Sequence, residues 1–585
     1  MENKTCRQCL ANFTVSDDDL KFYKKISPEF FGRKYLIPSP TLCPECRLQR
    51  RMSFRNIRKV YRRKSDKSGK ELISMYAPNS PFKVYSLEEF ESDDWDGRDF
   101  GQDFDFSRSF FEQFRELQLK VPRPHASVRS DTLENAEFIN GANNAKNVYM
   151  SFSIMFSENI YFSDEIYYST NCLDCYNLNK CELCYQCIES THLYNAFYCR
   201  HSHESRDIYF GSDLRGCQNC FGCAGLSNKQ YYIYNQPVKK EEFENFINNF
   251  DFNNFQVELK KLEEKNLEIP HKCVENENAE DSTGSFLMNV KNCQNCFECF
   301  DAENIKNGFM AKTGARDSHD VSYMFNGFEL CYESVVVGHS SYLVRFCEYS
   351  FLNMRDIIYC DNCNGGGDHL FGCVGLRKKS YCILNKQYTQ EEYEQLVPII
   401  IEHMQKTEEW GEFFPINLSC FGYNESCAID NMPLTREQAK AIGANWQDED
   451  FGFNYDGPFY TPKNISNYDP KLNPKAQVEI DELLKGVLKC QVSGKPFRLI
   501  PQEVAFYIEH HLPIPTKHPN QRSKERFMKK KPRKLWPGRC MCEGQLTGGD
   551  GCQHQGRCTN EFETTYAPER PEKVYCEECY RKSVL

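Results

Sequence analysis

Between residues 134 and 397 apolar and polar positions alternate in very short blocks: NAKNVYMSF, SENIYFSD, NCLDCYN, KCELCYQC, LYNAFYC, RDIYFGSD and GCQNCFGC. Three to five strand-like residues are followed each time by Asn, Ser, Asp or Gly. Tyr, Phe, Ile or Cys recurs every ten to fourteen positions. Regular recurrence of this kind is the texture of stacked repeats. Two such segments per coil predict a coil of roughly 20 to 28 residues. The expected structure is a right-handed β-solenoid with aromatic and Cys side chains stacked inward and Asn in the turns.

The pattern occurs twice. Phe221, Gly222, Cys223, Gly225, Leu226, Lys229, Tyr231, Ile233 and Asn235 each reappear 150 positions later. Upstream, Glu158-Asn159-Ile160 matches Glu303-Asn304-Ile305. Each copy closes on a helical pattern that would cover the end of the stack. The first runs from Lys239 to Leu267, with Phe243, Phe246, Ile247 and Phe250 on one side. The second opens at the capping box Thr389-Gln-Glu-Glu392, and Pro398 predicts a kink or a break in it. The fold class is mainly β with helical caps. A duplicated right-handed β-solenoid-like core, residues 134–270 and 271–413, is flanked by zinc-ribbon modules.

Residues 1–70 carry the first module. Cys6-x-x-Cys9 and Cys43-x-x-Cys46 are the sequence form of a zinc ribbon. Two tight knuckles present four thiolates, which complete a closed tetrahedral site that is structural and not catalytic. Arg47, Arg50, Arg51, Arg55, Arg58, Arg62 and Arg63 follow at roughly helical spacing. Residues 71–133 connect to the core as an aromatic and acidic strap. Ser109 to Lys120 is predicted as a short helix with Phe110, Phe114 and Leu117 on one face. Its clustered Asp residues lack the spacing of a calcium hand.

Beyond the core, residues 414–488 read as linker with a short helix after Thr435. Residues 489–534 then repeat the ribbon. KCQVSGKPF aligns with TCRQCLANF, and KHPNQR with LCPECR. Ser493, His518 and Gln521 stand where Cys9, Cys43 and Cys46 do, so a degenerate, metal-free ribbon is expected. It too ends in a basic run, with Lys529, Lys530, Lys531, Arg533 and Lys534. Residues 535–585 form a third ribbon. CTNEF repeats CLANF, and YCEECYRK repeats LCPECRLQ, which makes Cys558, Cys576 and Cys579 ligands. The position equivalent to Cys6 falls at Gln555, so His554 is taken as the fourth ligand. Cys552, Cys540 and Cys542 are the alternatives.

Charge changes the picture more than composition does. The 585-residue chain has a net charge of −11. Residues 47–70 hold eleven Lys or Arg against Asp66 alone, and residues 517–539 hold ten against Glu525 alone. The remainder is strongly acidic, so the asymmetry points to a polyanionic partner. The 32 Cys, a polar start and no apolar run of ~18 residues predict a reducing cytoplasm, no membrane span, and thiols with zinc instead of disulfides. A metal cluster at Cys172, Cys175, Cys181, Cys184 and Cys187 is disfavoured. In the second copy Cys184 meets Ser334 and Cys187 meets Val337. A stack of buried thiols tolerates such exchange, because Cys behaves as a small hydrophobe.

The CxNC texture resembles the β-helical domains of cyclase-associated and tubulin-cofactor proteins. CPECRLQRRMSFRN, the duplicated FGC-x-GL units and APERPEKVYCEECY together resemble the Cys-rich zinc-ribbon proteins of ultrasmall candidate-phylum bacteria. That resemblance implies zinc and no established activity, and the two ribbons that keep their ligands predict about two structural zinc ions. The leading expectation is a non-enzymatic protein that binds nucleic acid, RNA or a ribosomal surface, through the basic runs. Phe54, Tyr61 and Phe527 would stack on bases. The alternatives are a protein-interaction scaffold whose basic runs dock on its own acidic core, and a β-helix enzyme acting on polysaccharide. No carboxylate pair emerges from spacing to support the enzyme.

Overall fold

A computed structural model describes residues 1–544, 554 and 556–584. The protein is mainly β, and most of its strands run parallel. In the first repeat each strand pairs with one twelve residues further on. Ile160 lies beside Cys172, Cys172 beside Cys184, Cys184 beside Ala196, and Ile208 beside Cys220. The step is therefore about half the coil length expected from the sequence. Strands Thr170–Leu173 and Tyr176–Asn179 both fall within one step.

The backbone explains the short step. Every third residue adopts a left-handed conformation: Tyr168, Asn171, Asp174, Asn177 and Lys180 have φ between 50° and 56°. The chain thus bends after each pair of extended residues. For a residue other than Gly this conformation costs roughly 1–2 kcal/mol. Ladder bonding offsets it, since the N–H of Asp174 donates to Tyr161 O (3.1 Å) and that of Lys180 to Tyr167 O (3.0 Å). Asn147 and Asn159 add a side-chain ladder at 2.9 Å per rung. Asn therefore holds some of the bends, while Tyr, Asp and Lys hold others.

The second repeat opens with an eleven-residue step, Asn276 beside Leu287, and then takes the same twelve, Leu287 beside Cys299. It then lengthens to thirteen through Ala302–Ala315, Ala315–Phe328, Phe328–Ser341, Val344–Ile357 and Ile357–Leu370. Five extra residues carry the offset between the copies from 145 to 150. Inside both repeats the Cys residues are buried. Their thiols donate to main-chain carbonyls, as Cys175 does to Leu173 O (3.3 Å) and Cys223 to Phe221 O (3.3 Å).

The helix after the first repeat is two helices, Lys240–Asn248 and Phe255–Glu268, separated by a turn that Asp251 caps. The helix after the second, Gln390–Lys406, continues through Pro398. Helix Phe110–Lys120 starts at Ser109 as expected, and it packs Phe110 against Tyr359 and Phe371 of the second repeat. Two expected boundaries shift. A hairpin of Tyr61–Lys64 with Glu71–Ser74 spans position 70. Residues 413–446 are not linker, because Phe413, Phe414, Leu418, Phe421 and Tyr423 lie in the main core. The helix after Cys43 is also shorter than the arginine spacing implied. It ends at Ser53, Arg55 and Arg58 follow in an irregular turn, and Arg62 and Arg63 sit on a strand.

Candidate metal centres and the arginine contacts

The N-terminal ribbon begins with the hairpin Glu2–Thr5 and Asn12–Val15, in which Thr5 pairs with Asn12. Cys6 leaves the first strand and its N–H donates to Ala11 O at 2.9 Å. Leu10 closes the knuckle at φ 63°. Cys43 stands at the N-cap of helix Pro44–Ser53, where Pro44 supplies the helical φ without needing a hydrogen-bond partner. The four sulfurs lie within 4.8 Å of one another, with Cys9 and Cys43 3.6 Å apart. A hydrogen bond from Cys46 holds the Cys43 thiol down at about 5. This set could hold a metal ion, and it leaves no position for substrate.

The C-terminal ribbon has an equivalent set, but the fourth member is Cys540 and not His554. Cys540, Cys558, Cys576 and Cys579 are all buried, with sulfurs within 4.8 Å. Strand Trp536–Arg539 pairs with Glu561–Thr564 so that Arg539 faces Glu561, as Thr5 faces Asn12. Cys540 thus occupies the place of Cys6, and its N–H donates to Asn560 O at 2.9 Å. Cys540 and Cys558 are eighteen positions apart in sequence, so counting three positions back from Cys558 does not reach Cys540. The Cys540 and Cys576 sulfurs accept from Cys576 N (3.2 Å) and Asn560 Nδ2 (3.4 Å). His554 lies beside the set, its Nε2 3.4 Å from Cys579 Sγ. Cys552 falls outside the described residues.

The middle ribbon keeps the same skeleton. Lys489 pairs with Pro496, and Cys490 N donates to Lys495 O at 2.9 Å. His518 caps helix Pro519–Lys529 by accepting from Asn520 N at 3.0 Å. Gln521 donates to Glu525. Cys490 belongs to no group of three candidate ligands among the described residues.

A fourth ribbon escaped the sequence reading. Lys64 pairs with Glu71 across a hairpin, and Ser65 N donates to Lys70 O at 2.9 Å, the bond that Cys6, Cys490 and Cys540 also make. Ser65, Ser68, Ser86 and Glu89 stand at the four ligand places. Ser65 Oγ and the Ser86 N–H both donate to the Glu89 carboxylate. Partial burial works against this carboxylate, but hydrogen bonds from Ser65, Ser68 and Ser86 hold it down at about 2. The signal lay in plain sequence: APNSPFKVYSLEEF, from Ala77, matches APERPEKVYCEECY, from Ala567. A search organised around Cys passes over it.

The basic residues are mostly turned inward. Arg47 bonds Asp320 at 2.8 Å and Glu333 at 3.0 Å, and Arg51 reaches the same two carboxylates at 3.5 and 3.2 Å. Arg50 pairs with Glu412, and Arg58 with Asp164. Arg55 lies buried over the Tyr323 ring, and Arg63 pairs with Asp66. In the second run Arg533 bridges Glu189 of the first repeat and Glu298 of the second, each at 2.6 Å. Lys531 pairs with Glu275, and Lys530 donates to Asn431. Arg522 and Arg526, which the sequence reading did not single out, both grip Asp174. Only Arg62, Lys529 and Lys534 of the expected phosphate contacts are exposed, and each still meets a neighbour: Phe138, Glu263 and Glu45.

The expected base-stacking rings are also engaged. Phe54 is buried against Phe413, Phe527 packs on Tyr176, and Tyr61 donates to Glu425. These placements correct the reading of the basic runs as an open phosphate-facing surface. Elsewhere, a polar cavity of about 380 Å³ opens where the first repeat, helix Phe255–Glu268 and the C-terminal ribbon meet. Asp213, His201, His271 and Lys531 line it, and burial pushes the His201 ring well below its ordinary range.

No family model and no curated protein matches the chain. Among solved structures, a crystal structure of a protein described as an acetyltransferase from Desulfovibrio desulfuricans is similar at 10% identity and a TM-score of 0.11. That match covers 44% of this chain and 68% of the other. At that score it carries nothing about fold or activity. Among the described residues no helix is long and apolar enough to cross a membrane.

Proposed function

We propose that this chain is a non-enzymatic scaffold, in which two right-handed β-solenoids are locked to each other and to zinc ribbons by their own basic segments. The observation that carries this reading is the pairing of Arg47, Arg51, Arg522, Arg526 and Arg533 with buried carboxylates of the two repeats. Guanidinium groups held this way are not available to phosphate, and removing one partner of such a pair leaves an unpaired buried charge. That loss is of the order of 3–5 kcal/mol. The regular twelve- and thirteen-residue parallel steps are what a stacked coil requires, and closed coils leave few edges to pair with other chains.

Zinc fits both four-cysteine sets. A tetrahedral ion with Zn–S near 2.3 Å puts its sulfurs about 3.8 Å apart. The Cys9–Cys43 separation of 3.6 Å agrees. A reducing cytoplasm suits a chain whose described cysteines are all free thiols. Partner proteins would meet the repeat at its outer face, where Phe156 and Tyr168 stack at 4.9 Å and stay about half exposed. The test is a pull-down across a salt series with RNA, DNA and candidate proteins. Protein capture without nucleic acid supports the scaffold. Salt-dependent RNA or DNA capture that is lost with Arg62 and Lys534 would return the nucleic-acid reading.

A further inference from the structure

We propose that the C-terminal ribbon holds a second divalent metal ion beside the first, bound by Cys542, His554 and Cys579, with the Cys579 thiolate bridging the two. Among the described residues Cys579 alone belongs to two ligand groups: the four-cysteine set, and a set in which Cys542, His554 and Cys579 place their ligand atoms within 4.8 Å of one another. His554 Nε2 lies 3.4 Å from Cys579 Sγ. An ion held at about 2.0 Å by nitrogen and 2.3 Å by sulfur in a tetrahedron would set them about 3.5 Å apart.

The imidazole is oriented for this task. His554 Nδ1 is 2.8 Å from Gly556 O. A carbonyl can only accept, so Nδ1 carries the proton and Nε2 presents its lone pair towards the sulfur. Metal-binding histidines are commonly fixed in this way by a carbonyl behind the ring. Cys542 is buried and anchored, because Cys558 N donates to its carbonyl at 2.8 Å. The backbone closes tightly over the histidine. Gly544 sits at φ 81°, and a Cβ there would lie 2.8 Å from His554 O and 2.9 Å from Gly556 O.

The other three ribbons show what is added here. In each of them the first and second ligand places are three residues apart: Cys6 and Cys9, Ser65 and Ser68, Cys490 and Ser493. In this ribbon Cys540 and Cys558 are eighteen positions apart, and both Cys542 and His554 fall between them in sequence. Charge favours a second cation. Five thiolates around one divalent ion leave a net charge of about −3 in a buried cluster, and a second divalent ion reduces it to about −1. Thiolate and imidazole ligands select zinc-class metals. Three protein ligands leave a fourth position for water or another small donor, whereas the four-thiolate site is closed.

Native mass spectrometry of the zinc-loaded full-length chain tests this. Three ions per chain are expected: one in the N-terminal ribbon and two in the C-terminal one. Cys542→Ser and His554→Gln should each leave two. Cys46→Ser should also leave two, and Cys46→Ser combined with His554→Gln should leave one. Counting only the charge states of folded protein keeps the result independent of any loss of yield. Two ions in the wild type, or three retained in both Cys542→Ser and His554→Gln, would overturn the shared site. Neither outcome bears on the scaffold reading, which rests on the arginine pairs.

Discussion

Arg47 and Arg522 occupy the same position in the helices of two ribbons, yet they grip opposite repeats. Arg47 holds Asp320 of the second, and Arg522 holds Asp174 of the first. Arg51 and Arg526, one turn further along, repeat the exchange. The chain is thus duplicated in its ribbons as well as its repeats, and each basic helix belongs to a contact with a repeat. Five expectations follow from this arrangement and from the sites it carries.

Both four-cysteine sets should lose their metal one ligand at a time. Cys46→Ser should release the N-terminal ion, and Cys540→Ser should release the ion held by Cys558, Cys576 and Cys579. Cys490→Ser should change nothing in the metal count. Metal analysis of the three purified variants decides this, and a Cys540→Ser protein with full wild-type content would contradict the assignment of that residue.

The serine-lined ribbon should be convertible. Its backbone keeps the knuckle bond of the four-cysteine ribbons, and Glu89 sits where their last cysteine does. Replacing Ser65, Ser68, Ser86 and Glu89 together by Cys should add one zinc ion per chain. An unchanged metal content in a folded variant would show that the equivalence stops at the main chain.

How much of this was legible follows from where each signal lies. Cys6, Cys9, Cys43 and Cys46 declare themselves because each pair sits on one local knuckle. Cys540 was hidden because an insertion moved it eighteen positions away from Cys558, and only strand pairing restores the equivalence. The repeats were legible as short strands with recurring Cys and aromatic residues. Their step was not, because residues such as Tyr168 and Lys180 give no hint that they take a left-handed conformation. Arginine burial was the least legible feature. A run such as Arg47 to Arg58 has the same spacing whether it faces solvent or distant carboxylates, as Arg47 faces Asp320, 273 residues away.

The stacked thiols should matter for stability and not for metal. Cys223 and Cys373 are fully buried and donate to carbonyls of their own turns. Changing either to Ala should lower unfolding free energy by roughly 1–3 kcal/mol. Denaturant titration with parallel metal analysis checks this. Loss of zinc along with Cys223 would mean that the column carries a metal after all.

Glu503 should make stability fall as pH rises through neutrality. Burial pushes its carboxyl up to about 7, against the opposing pull of Arg522. A raised folded value means that its stabilising contribution is complete below the unfolded carboxylate range near 4.5 and is lost as pH rises through about 7. Glu503→Gln cannot ionise, so the difference in thermal midpoint between wild type and variant should shift between pH 5 and pH 8. A constant difference across that range would place the Glu503 titration elsewhere.

The central claim, that the basic segments hold the molecule together, is tested most directly by thermal unfolding of two charge-matched variants. One is Arg522→Met with Arg526→Met, which removes both partners of buried Asp174. The other is Arg62→Met with Lys534→Met, which removes two exposed charges. The first should lower the midpoint by at least a few degrees, in line with a loss of about 3–5 kcal/mol. The second should leave it nearly unchanged. Equal and negligible shifts in both would contradict the claim.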